Sequence, residues 1–259
     1  MVCTSNLADW PTIVYIYTFM SKSYTFIEKA LAFSVHIFTA TGVLTAIMAI
    51  IAISDAPAMG ELKMREAMLW LFAAFIIDGI DGTFARMFKA KEVLPNWDGQ
   101  NIDYVIDFAT YAIIPAFFIY QSDMLPDWGR LGSVFLILMV SALYYGKKGM
   151  VSDDQYFVGF PVMWNCVAFY MYFVTDFSQT TNFIFVLIFA ILHFVPIKYP
   201  YPSHPNRVRN LTIVSSLVFF VTNIWILFIF PQKIVLLQWI SMISMLTFGF
   251  VSLFVTFSE

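Results

Sequence analysis

Apolar residues run along the chain in stretches close to the roughly 17–25 residues that carry a helix across a bilayer. Eight such stretches are predicted, at 31–53, 67–88, 101–121, 130–146, 157–175, 182–197, 208–230 and 234–257, the sixth being the shortest. Turn-forming residues separate them: SDAPAMG at 54–60, LPNWDG at 94–99, LPDWG at 125–129 and YPYPSHP at 199–205. KSYTFIEKA at 22–30 reads as a short interfacial helix ahead of the first span. The pattern predicts an all-α polytopic membrane protein of about eight transmembrane helices, with no internal repeat or low-complexity segment.

Composition agrees. The 259 residues are 60% hydrophobic and 12% charged, against about 45–50% and about 25% in soluble domains. Cys3 and Cys166 are too few for a disulfide framework. Residues 1–21 lack the charged start and small-residue cleavage site of a secretory signal. With eight spans both termini share a side, and ten of the 14 basic residues then fall on that side, including Arg86, Lys147, Lys148 and Arg207. Cytoplasmic loops carry such an excess, so the termini and the loop at 88–100 are expected in the cytoplasm.

Within this apolar frame, four aspartates stand out: Asp78 and Asp81 on one span, Asp103 and Asp107 on the next. Spacings of three and four put each pair on one helix face, and a short reversal brings the two faces together. A mid-membrane aspartate costs roughly 2.5–3.5 kcal/mol, so packing alone does not account for four. Converging like charges need a counter-charge, and carboxylates suit a hard cation such as magnesium, manganese or calcium. Gly79 and Gly82 leave the backbone beside them open to a ligand, unless they serve close helix packing. Ala85 keeps room one turn on, and Arg86 offers a fork of donors to a phosphate. Lys89 and Lys91 read as snorkelling interfacial residues in preference to phosphate ligands.

The run D78-x2-D81-G82-x2-A85-R86…G99-x3-D103-x3-D107 resembles the signature of the CDP-alcohol phosphatidyltransferases. Its twelve-residue gap between Arg86 and Gly99 is longer than the eight or nine of most members. That gap, the eight spans, and VHIFTATG (35–42), TYAIIP (110–115) and GFPVMWNCVAFY (159–170) resemble the bacterial phosphatidylcholine synthases. The resemblance covers most of 31–209 and implies one membrane-embedded catalytic domain over 1–259, with a six-helix catalytic core at 31–200 and an additional helix pair at 207–257.

The resemblance also implies the reaction. A phosphatidyl group passes from CDP-diacylglycerol to choline, giving phosphatidylcholine and CMP at the cytosolic face of a bacterial inner membrane. Asp78, Asp81, Asp103 and Asp107 would hold a divalent metal, manganese or magnesium and two ions, with Asp107 also the general base. Gly79, Gly82, Ala85, Arg86 and Arg207 are the candidates for CDP and phosphate; for Arg207 an interfacial anchor is the alternative. Partners are these substrates and membrane lipid, not nucleic acid, and homodimerisation is left open.

A quaternary ammonium is held by aromatic faces. Tyr104 and Tyr111, on the Asp103–Asp107 helix, are preferred for choline over Trp97, Tyr144, Tyr145 and Tyr156, and Trp164 joins them. Asn165 either binds substrate or bonds between helices. His36 is a packing histidine or a site residue, Thr39 is a weaker signal, and His193 and His204 could neighbour phosphate. Serine is the rival acceptor. A divalent-cation transporter is the rival class, although such proteins favour inverted repeats.

Overall fold

The computed structural model describes residues 24–152, 156–200 and 208–258. In chain order come α1 (Phe26–Met59), α2 (Glu61–Met87), one-turn α3 (Ala90–Val93), α4 (Gly99–Gln121), α5 (Asp127–Tyr145), β1 (Tyr156–Val158), α6 (Trp164–Val174), α7 (Gln179–Leu192), β2 (Lys198–Pro200), α8 (Arg209–Ile229) and α9 (Val235–Phe257). Among the described residues, α1, α2, α4, α5, α8 and α9 are long and apolar enough to cross a membrane. The chain is an integral membrane protein. Its outward faces carry exposed Leu44, Phe228 and Phe250, a surface suited to lipid rather than water.

Of the eight expected spans, these six are long and apolar enough to cross a membrane, and the stretches at 157–175 and 182–197 hold shorter apolar helices. At 157–175 the chain first pairs β1 antiparallel with β2 and turns at Gly159, and Pro161 lacks an N–H, so helix starts only at Trp164. At 182–197 the helix is the 14-residue α7, about 21 Å long at 1.5 Å per residue, short of the roughly 30 Å hydrocarbon core. The short pair still joins both ends of the bundle. One end holds the β1–β2 ribbon. At the other, the side-chain amides of Gln179 and Asn182 donate to the carbonyls of Asp123 (2.9 Å) and Met124 (3.0 Å), and Lys233 pairs with Asp176.

The expected short interfacial helix is continuous with the first span. Thr25 and Glu28 form a capping box, the Thr25 hydroxyl accepting the Glu28 N–H at 3.3 Å and the Glu28 carboxylate accepting the Thr25 N–H at 2.7 Å. Residues 26–30 are therefore the first turns of α1, while 22 and 23 lie outside the described residues.

Packing is centred on fully buried Trp164, Tyr144, Phe118 and Phe169. Polar links tie the last helices to this core: Ser241 Oγ donates to Asn223 Oδ1 at 2.5 Å, and Tyr170 Oη to the Ser241 carbonyl at 2.8 Å. In α4, Phe108–Ile113 form a π turn just before Pro115, which has no N–H to give the Tyr111 carbonyl.

Gly159 is the tightest point in this packing. It has φ +95°, and a Cβ there would lie 2.1 Å from the His193 carbonyl oxygen. Gly159→Ala should therefore cost more than about 2 kcal/mol, lowering the melting temperature by at least about 4 °C. Gly249→Ala, whose Cβ meets nothing within 4 Å, should leave it within about 1 °C. Thermal unfolding in detergent reads both.

Candidate carboxylate site

The reversal between α2 and α4 sets the aspartates face to face. Lys89 takes a left-handed conformation (φ 49°), α3 follows, and Asp98 then caps α4, its carboxylate accepting the N–H groups of Gln100 (3.1 Å) and Asn101 (3.3 Å). Ala85, Ala90 and Val93 pack on Ala32 of α1. Two glycines bring α1 onto α4: a Cβ on Gly42 would stand 2.6 Å from Ile106 Cγ2, and one on Gly99 would stand 2.9 Å from His36 Cε1.

Carboxylate oxygens of Asp78, Asp103 and Asp107 lie within 4.8 Å of one another. Asp81 is buried and lines the same recess, together with Thr39, Ala74 and Thr110. The enclosed space is about 10 Å³, of the order of one water-sized sphere. Tyr111 Oη donates to Asp78 Oδ2 at 2.7 Å, joining α4 to α2 across 33 residues of sequence.

Among the described residues no lysine or arginine pairs with these four; the ion pairs found involve Lys63, Arg130 and Lys233. Two full charges 4.8 Å apart repel by roughly 3–4 kcal/mol at an effective dielectric of about 20. Only protons or a bound cation relieve that. The donor set is all hard oxygen, from side chains held on two helices, so it fits a hard divalent cation.

The other expected site residues divide. Gly79 is exposed, with nothing within 4 Å of a Cβ built there, so it is not a close-packing glycine. Beside Gly82 only Arg86 comes near, its Nη1 3.5 Å from such a Cβ. The Arg86 side chain lies back along α2, Nη2 donating to Thr83 Oγ1 at 3.2 Å, and stays exposed. Tyr104 accepts from Gln100 Nε2 at 2.5 Å and packs against Tyr145, ring centroids 5.6 Å apart; Tyr145 also meets Phe108 at 6.1 Å. Trp164 and Asn165 do not line the recess. Trp164 is 0% exposed, stacked on His193 and donating Nε1–H to Ser141 Oγ at 3.0 Å, which leaves no free face for a cation. Asn165 Oδ1 accepts the Cys166 N–H at 2.9 Å. His193 sits in that aromatic core and not by the aspartates, and Arg207 and His204 lie outside the described residues.

Three contributors were given no role by the sequence reading, although Thr110 and Gly42 fall within TYAIIP and VHIFTATG. Thr110 stands three residues after Asp107, a hydroxyl in an apolar helix that could have been noticed. Ala74 and Gly42 carry no polar signal and become visible only once the helices pack.

Four carboxylates let into one end of a lipid-facing helix bundle define an integral membrane protein with a cation-type polar centre. No protein-family model matches the chain. Among curated proteins it is 39% identical over 210 residues to a phosphatidylcholine synthase of Rhizobium johnstonii (77% of this chain, 84% of that one). It is 42% identical over 202 residues to one of Pseudomonas aeruginosa (78% and 81%) and 36% over 200 residues to one of Borreliella burgdorferi (76% and 82%). The chain belongs to the phosphatidylcholine synthases, within the CDP-alcohol phosphatidyltransferases.

Tyr111→Phe removes the one hydroxyl that fixes Asp78. Outer-sphere partners of this kind are worth about 10–100-fold in metal affinity, so Mn2+ binding, read from the electron paramagnetic resonance of free ion, should weaken by about that factor with the fold intact. Unchanged Mn2+ affinity would detach Tyr111 from the site.

Proposed function

We propose that the enzyme transfers the phosphatidyl group of CDP-diacylglycerol to choline at the aspartate recess, giving phosphatidylcholine and CMP. The observation that carries this is the meeting of Asp78, Asp103 and Asp107, with Asp81 beside them, in a chain whose relatives are phosphatidylcholine synthases. Choline oxygen forms a bond to the phosphatidyl phosphorus while the bond from that phosphorus to the CMP oxygen breaks, and CMP leaves with the electron pair. Asp107 takes the choline hydroxyl proton, since an alcohol is a poor nucleophile at neutral pH without a positioned base. Asp78, Asp81 and Asp103, with Asp107, would hold the divalent ions. The chemistry supplied by a bound pair, manganese or magnesium, is neutralisation of charge on the phosphoryl and on departing CMP.

Arg86 and the open backbone at Gly79 and Gly82 receive the diphosphate, and Ala85 leaves room for the nucleotide. Tyr104, Tyr145 and Phe108, grouped next to Asp107 on α4 and α5, offer ring faces to the trimethylammonium; Tyr111 serves by fixing Asp78. The basic excess supports a cytosolic site with both termini inside, and the bacterial relatives support a bacterial inner membrane. The bundle acts as one catalytic domain, its core at 31–200 and the pair α8–α9 packed beside it.

The reaction is tested by CMP release from CDP-diacylglycerol in micelles. Choline should outrun 3,3-dimethylbutanol, its uncharged isostere, by at least about tenfold, since cation–π attraction over two rings is worth about 1–4 kcal/mol. Asp107→Asn should abolish turnover while nucleotide binding persists, and excess chelator should stop release until Mn2+ or Mg2+ is restored. Faster release with serine than with choline would overturn the acceptor.

A further inference from the structure

His36 on α1 is buried at 7% exposure, and its Nε2 has no hydrogen-bond partner. Buried ring nitrogens are normally paired, so an unmet one asks for a ligand. The surroundings hold the ring without satisfying it: Phe33 edge-on at 6.5 Å, and Trp97 nearly parallel at 6.2 Å. Gly99 clears the space against Cε1 and Nδ1, where a Cβ would come within 2.9 and 3.3 Å.

Its position is specific. Thr39, one turn along the same face of α1, lines the recess with Asp81 and Asp103. Gly99, against which the imidazole lies, is one turn before Asp103 on the same face of α4. His36 therefore stands one turn from the carboxylates, toward the α2–α4 reversal. The twelve residues from 87 to 98 supply Trp97, which roofs this spot, so the long reversal and the buried histidine form one structure.

Building on the reading of the recess as the CDP-diacylglycerol site, we infer that His36 donates its Nε2–H to an oxygen of the nucleotide-side phosphate, the group that leaves as CMP. The carboxylates sit at the level of the transferred phosphoryl. The leaving phosphate then extends toward the reversal, where Arg86 is an exposed donor and His36 a buried one. A buried donor facing an anion makes a charge-assisted hydrogen bond, stronger than a neutral one. His36 is thus a substrate contact for the nucleotide rather than a packing residue.

The test compares His36→Phe, which keeps ring bulk, His36→Asn, whose amide falls short, and His36→Gln, whose amide nitrogen reaches near the Nε2 position. CDP binding in the presence of Mg2+ is measured by calorimetry on the purified enzyme, with KM for CDP-diacylglycerol and for choline. Phe and Asn should weaken CDP binding and raise the CDP-diacylglycerol KM about 10- to 100-fold, the worth of a hydrogen bond to a charged group. The choline KM should stay within twofold, and Gln should recover most of the loss. Wild-type CDP affinity in either deficient variant overturns the inference, so Asn decides it if the Phe variant does not fold. Wild-type enzyme that binds CDP yet releases no CMP with choline would instead overturn the reaction, leaving the His36 result readable on CDP alone.

Discussion

Mutual repulsion among four carboxylates is the constraint around which this bundle is arranged. Asp78, Asp103 and Asp107 bring oxygens within 4.8 Å of one another with no lysine or arginine paired to them among the described residues. Such a cluster persists only if the rest of the fold holds it together. Close helix approach at Gly42 and Gly99, the capped start of α4 at Asp98, and the Tyr111–Asp78 hydrogen bond all act on the same few ångströms. Lipid-facing side chains on the outer surfaces secure the helices in the bilayer and leave the interior free to carry this polar centre.

Membrane placement and catalytic chemistry answer to one geometry. The substrate joins a water-soluble nucleotide to two acyl chains, so its reacting phosphorus lies where the bilayer meets water. In the proposed reaction, a recess near the α2–α4 reversal, a turn or more inside the helices, would meet the diphosphate there while the acyl chains stay among apolar walls. The π turn at Phe108–Ile113 immediately follows Asp107 and changes the rotation of α4 there, and Tyr111, within that turn, faces Asp78.

Much of this was legible in the sequence. The aspartate faces follow from spacings of three and four, and six of the eight expected spans appear as spanning helices. The other two hold shorter helices, because apolar length does not reveal backbone conformation. Gly159 at φ +95° and the β1–β2 pairing shorten α6, and neither leaves a trace in hydrophobicity. Trp164 was misread for a related reason: an aromatic residue in a family-like motif looks the same whether it faces a ligand or stacks on His193. Glycine roles changed as well. Gly79 and Gly82 stand open while Gly42 and Gly99 pack, a distinction that depends on which helix lies opposite. Tyr145 meets Tyr104 only because the end of α5 returns beside the start of α4.

The most direct test of the account is anomalous scattering at the manganese edge from crystals grown with CDP and Mn2+. Density is expected at about 2.0–2.2 Å from carboxylate oxygens of Asp78, Asp103 and Asp107, lost when Asp78 and Asp107 are both replaced by asparagine. Manganese bound elsewhere, with the aspartate recess bare while CDP is present, would contradict it.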